Sequence, residues 1–313
     1  MKPLLFVLFI LFAFGSLAAQ KPVWQPSPGH TQLPIWPSTV PAGRTARDSE
    51  SVTTAPKPVA GRPWVYVRNV SRPTMTVYSP TVANTGAAVV VFPGGGYQIL
   101  AMDLEGTEVC DWLTSRGITC VLLKYRVPNA GPTWEQFCGC DVRTRSSRPL
   151  EDAQRTISLV RFHAAEWHVD PHKVGVLGFS AGGHLVAAVS TRFGRRVYER
   201  VDSADEESSR PDFAVALYPG HLFDGRTSAL NPNVRVTRDV PPTFLVQAEN
   251  DDVDDVRNSL VYYMALRKAG VPAELHLYAE GRHAFGLRQT SLPVTAWPRL
   301  METWLRTIGV VSP

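Results

Sequence analysis

Short β-branched runs alternate along most of the chain with longer stretches in which apolar residues return every three or four positions. The first pattern suits buried strands and the second suits helices that bury one face. Together they predict an α/β fold with a mostly parallel central sheet and helices on both faces. Strands are expected over Thr74–Tyr78, Ala87–Phe92, Thr119–Tyr125, Val174–Gly178, Ala214–Tyr218, Thr243–Gln247 and Glu274–Tyr278. Helices are expected over Gly106–Ser115, over Leu150–Ala165, after Ser180, and over Val256–Lys268. In the second helix Ala153, Ile157, Val160 and Ala164 share a face. In the last, Val256, Leu260, Tyr263 and Met264 form one stripe, and Gly270 stands where a left-handed cap belongs. Such sheets bind ligands at the carboxyl ends of their strands, so the loops there are where chemistry is sought.

Two stretches fall outside the alternation. Lys2, the apolar run Leu4 to Phe14 and the small residues around Ala18-Ala19 read as a signal peptide over residues 1–19, its apolar run too short to span a membrane. Residues 20–62 are rich in proline, serine and threonine without apolar periodicity, which predicts an extended leader lying on the domain or a linker. One catalytic domain is expected over 63–313.

At 313 residues and 44% hydrophobic, the chain can bury a sizeable core, which excludes disordered and small disulfide-stapled classes. The net charge of +4 comes from scattered arginines, and the loose Arg143, Arg145, Arg148 trio is too thin to track phosphates. Neither nucleic acid nor, after signal removal, a membrane is expected as a partner; the oligomeric state is left open. Export implies a secreted or periplasmic protein and permits disulfides among Cys110, Cys120, Cys138 and Cys140, whose three possible pairings stay open. Cys138-Gly139-Cys140 has no histidine at metal-site spacing, so neither metal nor cofactor is expected.

The strongest chemical signal is the run from Lys173 to His184, a Val-rich strand entering Gly178-Phe-Ser180-Ala-Gly182 and then an Ala- and Leu-rich helix. A strand that turns sharply into a helix needs small residues at both ends of the turn, and it leaves the serine hydroxyl exposed at the sheet's edge. Ser180 is therefore the expected nucleophile, with the Ala181 amide as one oxyanion donor. The loop after an earlier strand, Pro93-Gly94-Gly95-Gly96-Tyr97, lets backbone amides approach a substrate without a Cβ in the way, and Gly95 and Gly96 are the expected further donors.

An acid should follow a later strand, where Glu249-Asn-Asp251-Asp252-Val-Asp254-Asp255 supplies several carboxylates. Asp251 lies nearest the strand end and is the first choice, with Asp252 its rival. Asp254 and Asp255 read as acids favouring the positive end of the following helix. Among eight histidines, His283 follows the last strand on a Gly-bounded loop able to carry a ring over the serine. His184, one helical turn past Ser180, reads as packing. The order Ser180, Asp251, His283 is that of the α/β-hydrolases.

These residues carry a resemblance. Phe92-Pro-Gly-Gly-Gly-Tyr97, Ala101-Met-Asp-Leu-Glu-Gly106, Leu123-Lys-Tyr-Arg-Val-Pro128, Pro149 to Arg155, Leu177 to His184 and Gly281-Arg-His-Ala-Phe-Gly286 are together similar to the bacterial acetyl xylan esterase and feruloyl esterase-like branch of the α/β-hydrolases, related to the hormone-sensitive-lipase group. The similarity runs from about Arg72 to Gly309, with Leu33-Pro-Ile-Trp-Pro37 resembling the branch as well. It implies the α/β-hydrolase fold, with Ser180 as nucleophile, Asp251 as acid, His283 as base, and Gly95, Gly96 and Ala181 as oxyanion amides. It also implies a secreted serine esterase cleaving short acyl esters, acetyl above all, on xylan or other plant carbohydrate, through an acyl-enzyme intermediate. The expected partner is a small ester or an acetylated carbohydrate. The same triad also serves aryl-formamidases and exopeptidases, and a third reading is an inactive carbohydrate-binding scaffold. Three departures stand out: Pro93 where related lipases have histidine, Asp255 where the branch has proline, and a lengthened segment over 127–148. The short Ala101 to Glu108 segment, carrying Asp103, Glu105 and Glu108, reads as too polar to form a lid over a lipid groove.

Overall fold

The runs Val89–Val91 and Val174–Val176 are buried on both faces of the sheet, as parallel strands covered by helices must be. A computed structural model of the chain describes residues 23–37, 49–127 and 148–311. Residues 1–19, most of the 127–148 segment, Cys138 and Cys140 lie outside the described residues, as do residues 20–22 and 38–48 of the leader read over 20–62.

The central sheet has eight strands. In chain order they are β1 (Gln32–Pro34), β2 (Thr74–Tyr78), β3 (Ala88–Phe92), β4 (Thr119–Lys124), β5 (Val174–Phe179), β6 (Ala214–Leu217), β7 (Thr243–Ala248) and β8 (Ala273–Tyr278). Their spatial order is β1-β2-β4-β3-β5-β6-β7-β8. The pairs β1·β2 and β2·β4 are antiparallel, and every later pair is parallel. This is the α/β-hydrolase sheet, with β5 near its middle.

The helices are α1 (Glu108–Thr114), α2 (Arg148–Phe162), α3 (Ala181–Arg192), α4 (Arg257–Lys268) and α5 (Trp297–Thr307). No described helix is long and apolar enough to cross a membrane. Cys110 of α1 and Cys120 of β4 form a disulfide, which selects the partner of each among the possible pairings.

The α4 stripe differs from the sequence expectation. Leu260 and Met264 are exposed, whereas Asn258, Ser259, Tyr262 and Leu266 face inward. Hydrogen bonds decide this. Asn258 Oδ1 accepts from the amides of Leu222 and Phe223, each at 2.8 Å, and the Ser259 hydroxyl donates to Gln247 Oε1 at the end of β7. Helix α5 was not anticipated from the sequence. Its Trp297 is fully buried and donates from Nε1 to the Gly286 carbonyl at 2.8 Å, fixing the loop after β8.

Part of the segment read as leader is built into the domain. Ile35 and Trp36 directly after β1 are buried. Trp36 Nε1 donates to Asp152 Oδ1 at 2.9 Å, and Arg155 Nε donates to the Ile35 carbonyl at 2.9 Å.

Candidate active site

Ser180 sits between β5 and α3 at φ 53°, ψ −119°, a region that side chains rarely enter. The turn is closed by glycine contacts. A Cβ on Gly178 would stand 2.2 Å from the Gly182 carbonyl oxygen, and one on Gly182 would stand 2.0 Å from the Phe92 carbonyl oxygen. Backbone therefore packs on backbone, and the motif's small residues are a steric requirement.

His283 arrives on the loop after β8, where Arg282 and Ala284 both have positive φ. Its Nε2 is 3.0 Å from Ser180 Oγ, and its Nδ1 faces both oxygens of Asp251, at 2.8 and 3.0 Å. A carboxylate there can only accept, so Nδ1 carries the hydrogen and Nε2 is left to receive the serine proton. Asp251 Oδ1 also accepts the amides of Val253 and Asp254, each at 2.9 Å, which fixes its rotamer. Asp252 is mostly exposed and pairs with Arg282, away from the ring. The structure thus brings together Ser180, Asp251 and His283, and leaves Asp252 outside. Asn250 was not foreseen as a support: its Oδ1 accepts the amides of Gly281 and Arg282 at 3.0 and 2.8 Å, joining the acid's loop to the histidine's.

Asp254 departs from its expected place. It does not serve the helix start, which falls to Asp255 through the Arg257 amide at 2.8 Å. It is buried beside Ser180, with Oδ2 3.2 Å from Ser180 Oγ and 3.8 Å from His283 Nε2. A bend between Asp251 and α4 turns it inward. Burial, opposed by His283 and reinforced by Asp251, pushes its carboxyl up to about 6. Burial alone would lower His283, but the bond to Asp251 and the charges of Asp251, Asp254 and Glu105 leave its pKa raised.

The glycine loop is held from below. The Gly94 amide donates to Glu105 Oε2 at 2.7 Å, so this amide is committed to the scaffold. The amides of Gly95, Gly96 and Ala181 donate to no group among the described residues, as oxyanion donors require. Gly95 lies at φ 128°, and a Cβ there would stand 2.4 Å from the Ile99 carbonyl oxygen. Tyr125 OH donates to the Pro93 carbonyl at 2.6 Å.

Within Ala101 to Glu108, the segment read from the sequence as too polar for a lid, Glu105 takes a buried place. Ala101, Met102, Leu104 and Glu105 are buried, and Asp103–Thr107 forms a turn of π-helix beneath the glycine loop. Glu105 Oε1 accepts from Tyr218 OH at 2.8 Å, Tyr218 OH accepts from the Gly286 amide at 3.3 Å, and the Tyr218 ring lies 4.9 Å from that of His283. Burial raises the Glu105 pKa, while Tyr218, His283 and the Gly94 amide pull it down. His184 is buried with Nδ1 2.7 Å from Tyr97 OH, and burial, with His221 and Arg192 nearby, lowers it to about 3, so it remains neutral.

The chain is similar to several known proteins. The family model described as BD-FAE matches residues 75–218. An acetylxylan esterase of Xylanibacter ruminicola is 31% identical over 225 residues, 64% of this chain and 42% of that protein. Endo-1,4-beta-xylanase B of Butyrivibrio fibrisolvens is 28% identical over 215 residues, 62% of this chain and 32% of that protein. The chain thus spans less than half the length of these two relatives. The crystal structure of an acetyl ester-xyloside bifunctional hydrolase from Caldicellulosiruptor lactoaceticus superposes with a TM-score of 0.69 at 32% identity, covering 90% of this chain and 97% of that one. With that relative matched along almost its whole length, and with serine, acid and histidine following β5, β7 and β8 in order, the chain belongs to the BD-FAE branch of the α/β-hydrolases.

Proposed function

We propose that the protein is a serine esterase that removes short acyl groups, acetyl above all, from carbohydrate such as xylan, and that residues 1–19 direct it out of the cytoplasm. The observation that carries the reading is the alignment of Ser180 Oγ with His283 Nε2 at 3.0 Å, Asp251 behind the ring, and unengaged amides at Gly95, Gly96 and Ala181. In the first half of the cycle Ser180 Oγ attacks the ester carbonyl carbon as His283 Nε2 takes its proton, and the carbonyl oxygen becomes an oxyanion facing the amides. Collapse expels the alcohol, which receives the proton from His283. In the second half, water adds to the acyl-serine with His283 again as base, and the carboxylic acid leaves as Ser180 regains its hydrogen. The acetylxylan esterase relative and the acetyl ester-xyloside hydrolase structure support the choice of acyl group and sugar.

Ser180→Ala should cut acetate release from acetylated xylan by several orders of magnitude with unchanged circular dichroism. In the wild type, kcat/KM across 4-nitrophenyl esters from acetyl to palmitoyl should be highest at two to four carbons, each added methylene that meets a wall costing roughly 1–3 kcal/mol. A maximum at eight carbons or beyond would place the protein with lipases. Near-wild-type turnover in Ser180→Ala would remove the serine mechanism.

A further inference from the structure

Nothing in the proposed cycle uses Asp254. Its side chain is only 6% exposed, yet it points at the reacting atoms, with Oδ2 3.2 Å from Ser180 Oγ and 3.8 Å from His283 Nε2. Oδ1 has no hydrogen-bond partner among the described residues, and no lysine or arginine among them pairs with the carboxylate. The position is tightly specified. The Asp254 amide donates to Asp251 Oδ1 at 2.9 Å, and its carbonyl accepts from Gln247 Nε2 at 2.7 Å. Gly220 leaves room for the carboxyl, since a Cβ there would stand 2.4 Å from Oδ1.

An enclosed carboxylate with no lysine or arginine partner costs folding free energy while His283 is neutral, and its charge opposes an oxyanion forming nearby. To the triad it offers only its charge beside the imidazolium, a task that Asp251 already performs at shorter range. What the group offers is an acceptor beside the place where the leaving oxygen must sit, because that oxygen takes its proton from His283 Nε2. The two oxygens of a vicinal diol lie about as far apart as hydrogen-bonded atoms. An ester whose leaving oxygen reaches His283 therefore carries a neighbouring hydroxyl towards Asp254.

We propose that Asp254 is a specificity-determining residue that accepts a hydrogen bond from a free hydroxyl on the carbon next to the acylated one. The proposal rests on the esterase reading above and narrows it: the preferred substrate is a partly acylated polyol with a free hydroxyl beside the ester. A neighbour blocked by a second acyl group, or an aryl ester, leaves the buried acceptor unpaired. A site built to bond a hydroxyl rejects the analogue lacking it far more strongly than an apolar pocket discriminates by size.

The test compares methyl 2-O-acetyl-β-xyloside with its 3-O-methyl ether on the full chain, wild type and Asp254→Leu, with Asp254→Ala used if the leucine variant does not fold. Folding is checked by circular dichroism and by fluorophosphonate labelling of Ser180. Wild type should prefer the free-hydroxyl ester by at least tenfold in kcat/KM, and the variant should bring that ratio below threefold. A wild-type ratio near one, or a variant that keeps the wild-type ratio, overturns the role of Asp254 and leaves the esterase reading standing. Cleavage of neither ester, with no labelling of Ser180, overturns the esterase reading and the proposal together.

Discussion

Ser180 has one hydroxyl hydrogen and two acceptors beside it, the imidazole at 3.0 Å and Asp254 at 3.2 Å, so the protonation of the pair decides where that hydrogen points. His283 must be neutral to act as base, and Asp251, Asp254 and Glu105 hold its pKa above the ordinary imidazole value against the opposing effect of burial. The acid limb of kcat/KM should therefore lie above pH 6.5, the ordinary value. In Asp254→Asn it should move to lower pH, because one negative neighbour is gone; a limb unmoved by the substitution would separate Asp254 from the histidine's titration. The two groups titrate as a pair, so the limb reports both. Stability follows with the opposite benefit. Asp254 titrates near 6 in the fold against 3.8 ordinarily, so its protonated form is the favoured native form. That advantage is complete below about pH 4 and is lost as pH rises through 6. At pH 8 the buried charge costs roughly 3 kcal/mol, and Asp254→Asn should melt at a higher temperature than wild type there, with the gap closing towards pH 4. The sequence showed four aspartates in five residues but not this division of labour. The bend before α4 turns Asp254 towards Ser180, and an acidic run carries no sign of which carboxylate turns inward. Ser180 and His283 were legible because glycines flank both and each must follow a strand.

Elements that meet at the site are tied by groups between them. The π-helical turn at Asp103–Thr107 delivers Glu105 to the glycine loop after β3, to Tyr218 after β6 and, through Tyr218, to the loop carrying His283. A carboxylate serves both donors, one oxygen each. Glu105→Gln keeps the shape but puts an NH2 against one of them, so the oxyanion loop should lose its register. Turnover should fall on the order of tenfold to a hundredfold with KM little changed, since the oxyanion exists only in the transition state. An equal change confined to KM would instead make Glu105 part of ground-state binding. This tie was hidden in the sequence because a lone glutamate in a short segment reads as surface. The strand cores β2 to β8 were visible within a residue or so at each end, and for β3 to β7 burial on both faces leaves few alternatives. The α4 face differs because hydrogen bonds accepted by Asn258 and donated by Ser259 help to turn it inward, which an apolar stripe cannot reveal.

On the scale of the whole molecule, the sheet's antiparallel edge is closed by β1, and Trp36 just beyond it is locked against α2. Its ring lies 4.8 Å from that of Tyr198 and under the guanidinium groups of Arg126 and Arg155, at 5.7 and 5.9 Å. Trp36→Ala should therefore cost about 3 kcal/mol and lower the melting temperature by roughly 6–12 °C, measured by calorimetry. A change below 2 °C would mean that this segment rests on the domain without supporting it. Composition could not show the attachment, because a strand of three residues between prolines has no period to detect.

The same attachment sets an order in time. Trp36 and its acceptor Asp152 are 116 residues apart in the chain, and Ile35 and Arg155 are 120 apart. At a synthesis rate of about 5–20 residues per second, the tryptophan waits roughly 6–23 s before its partner exists. The strand that seals the edge of the sheet is thus made first and can meet β2 early, while the tryptophan beyond it stays bare until α2 has been made.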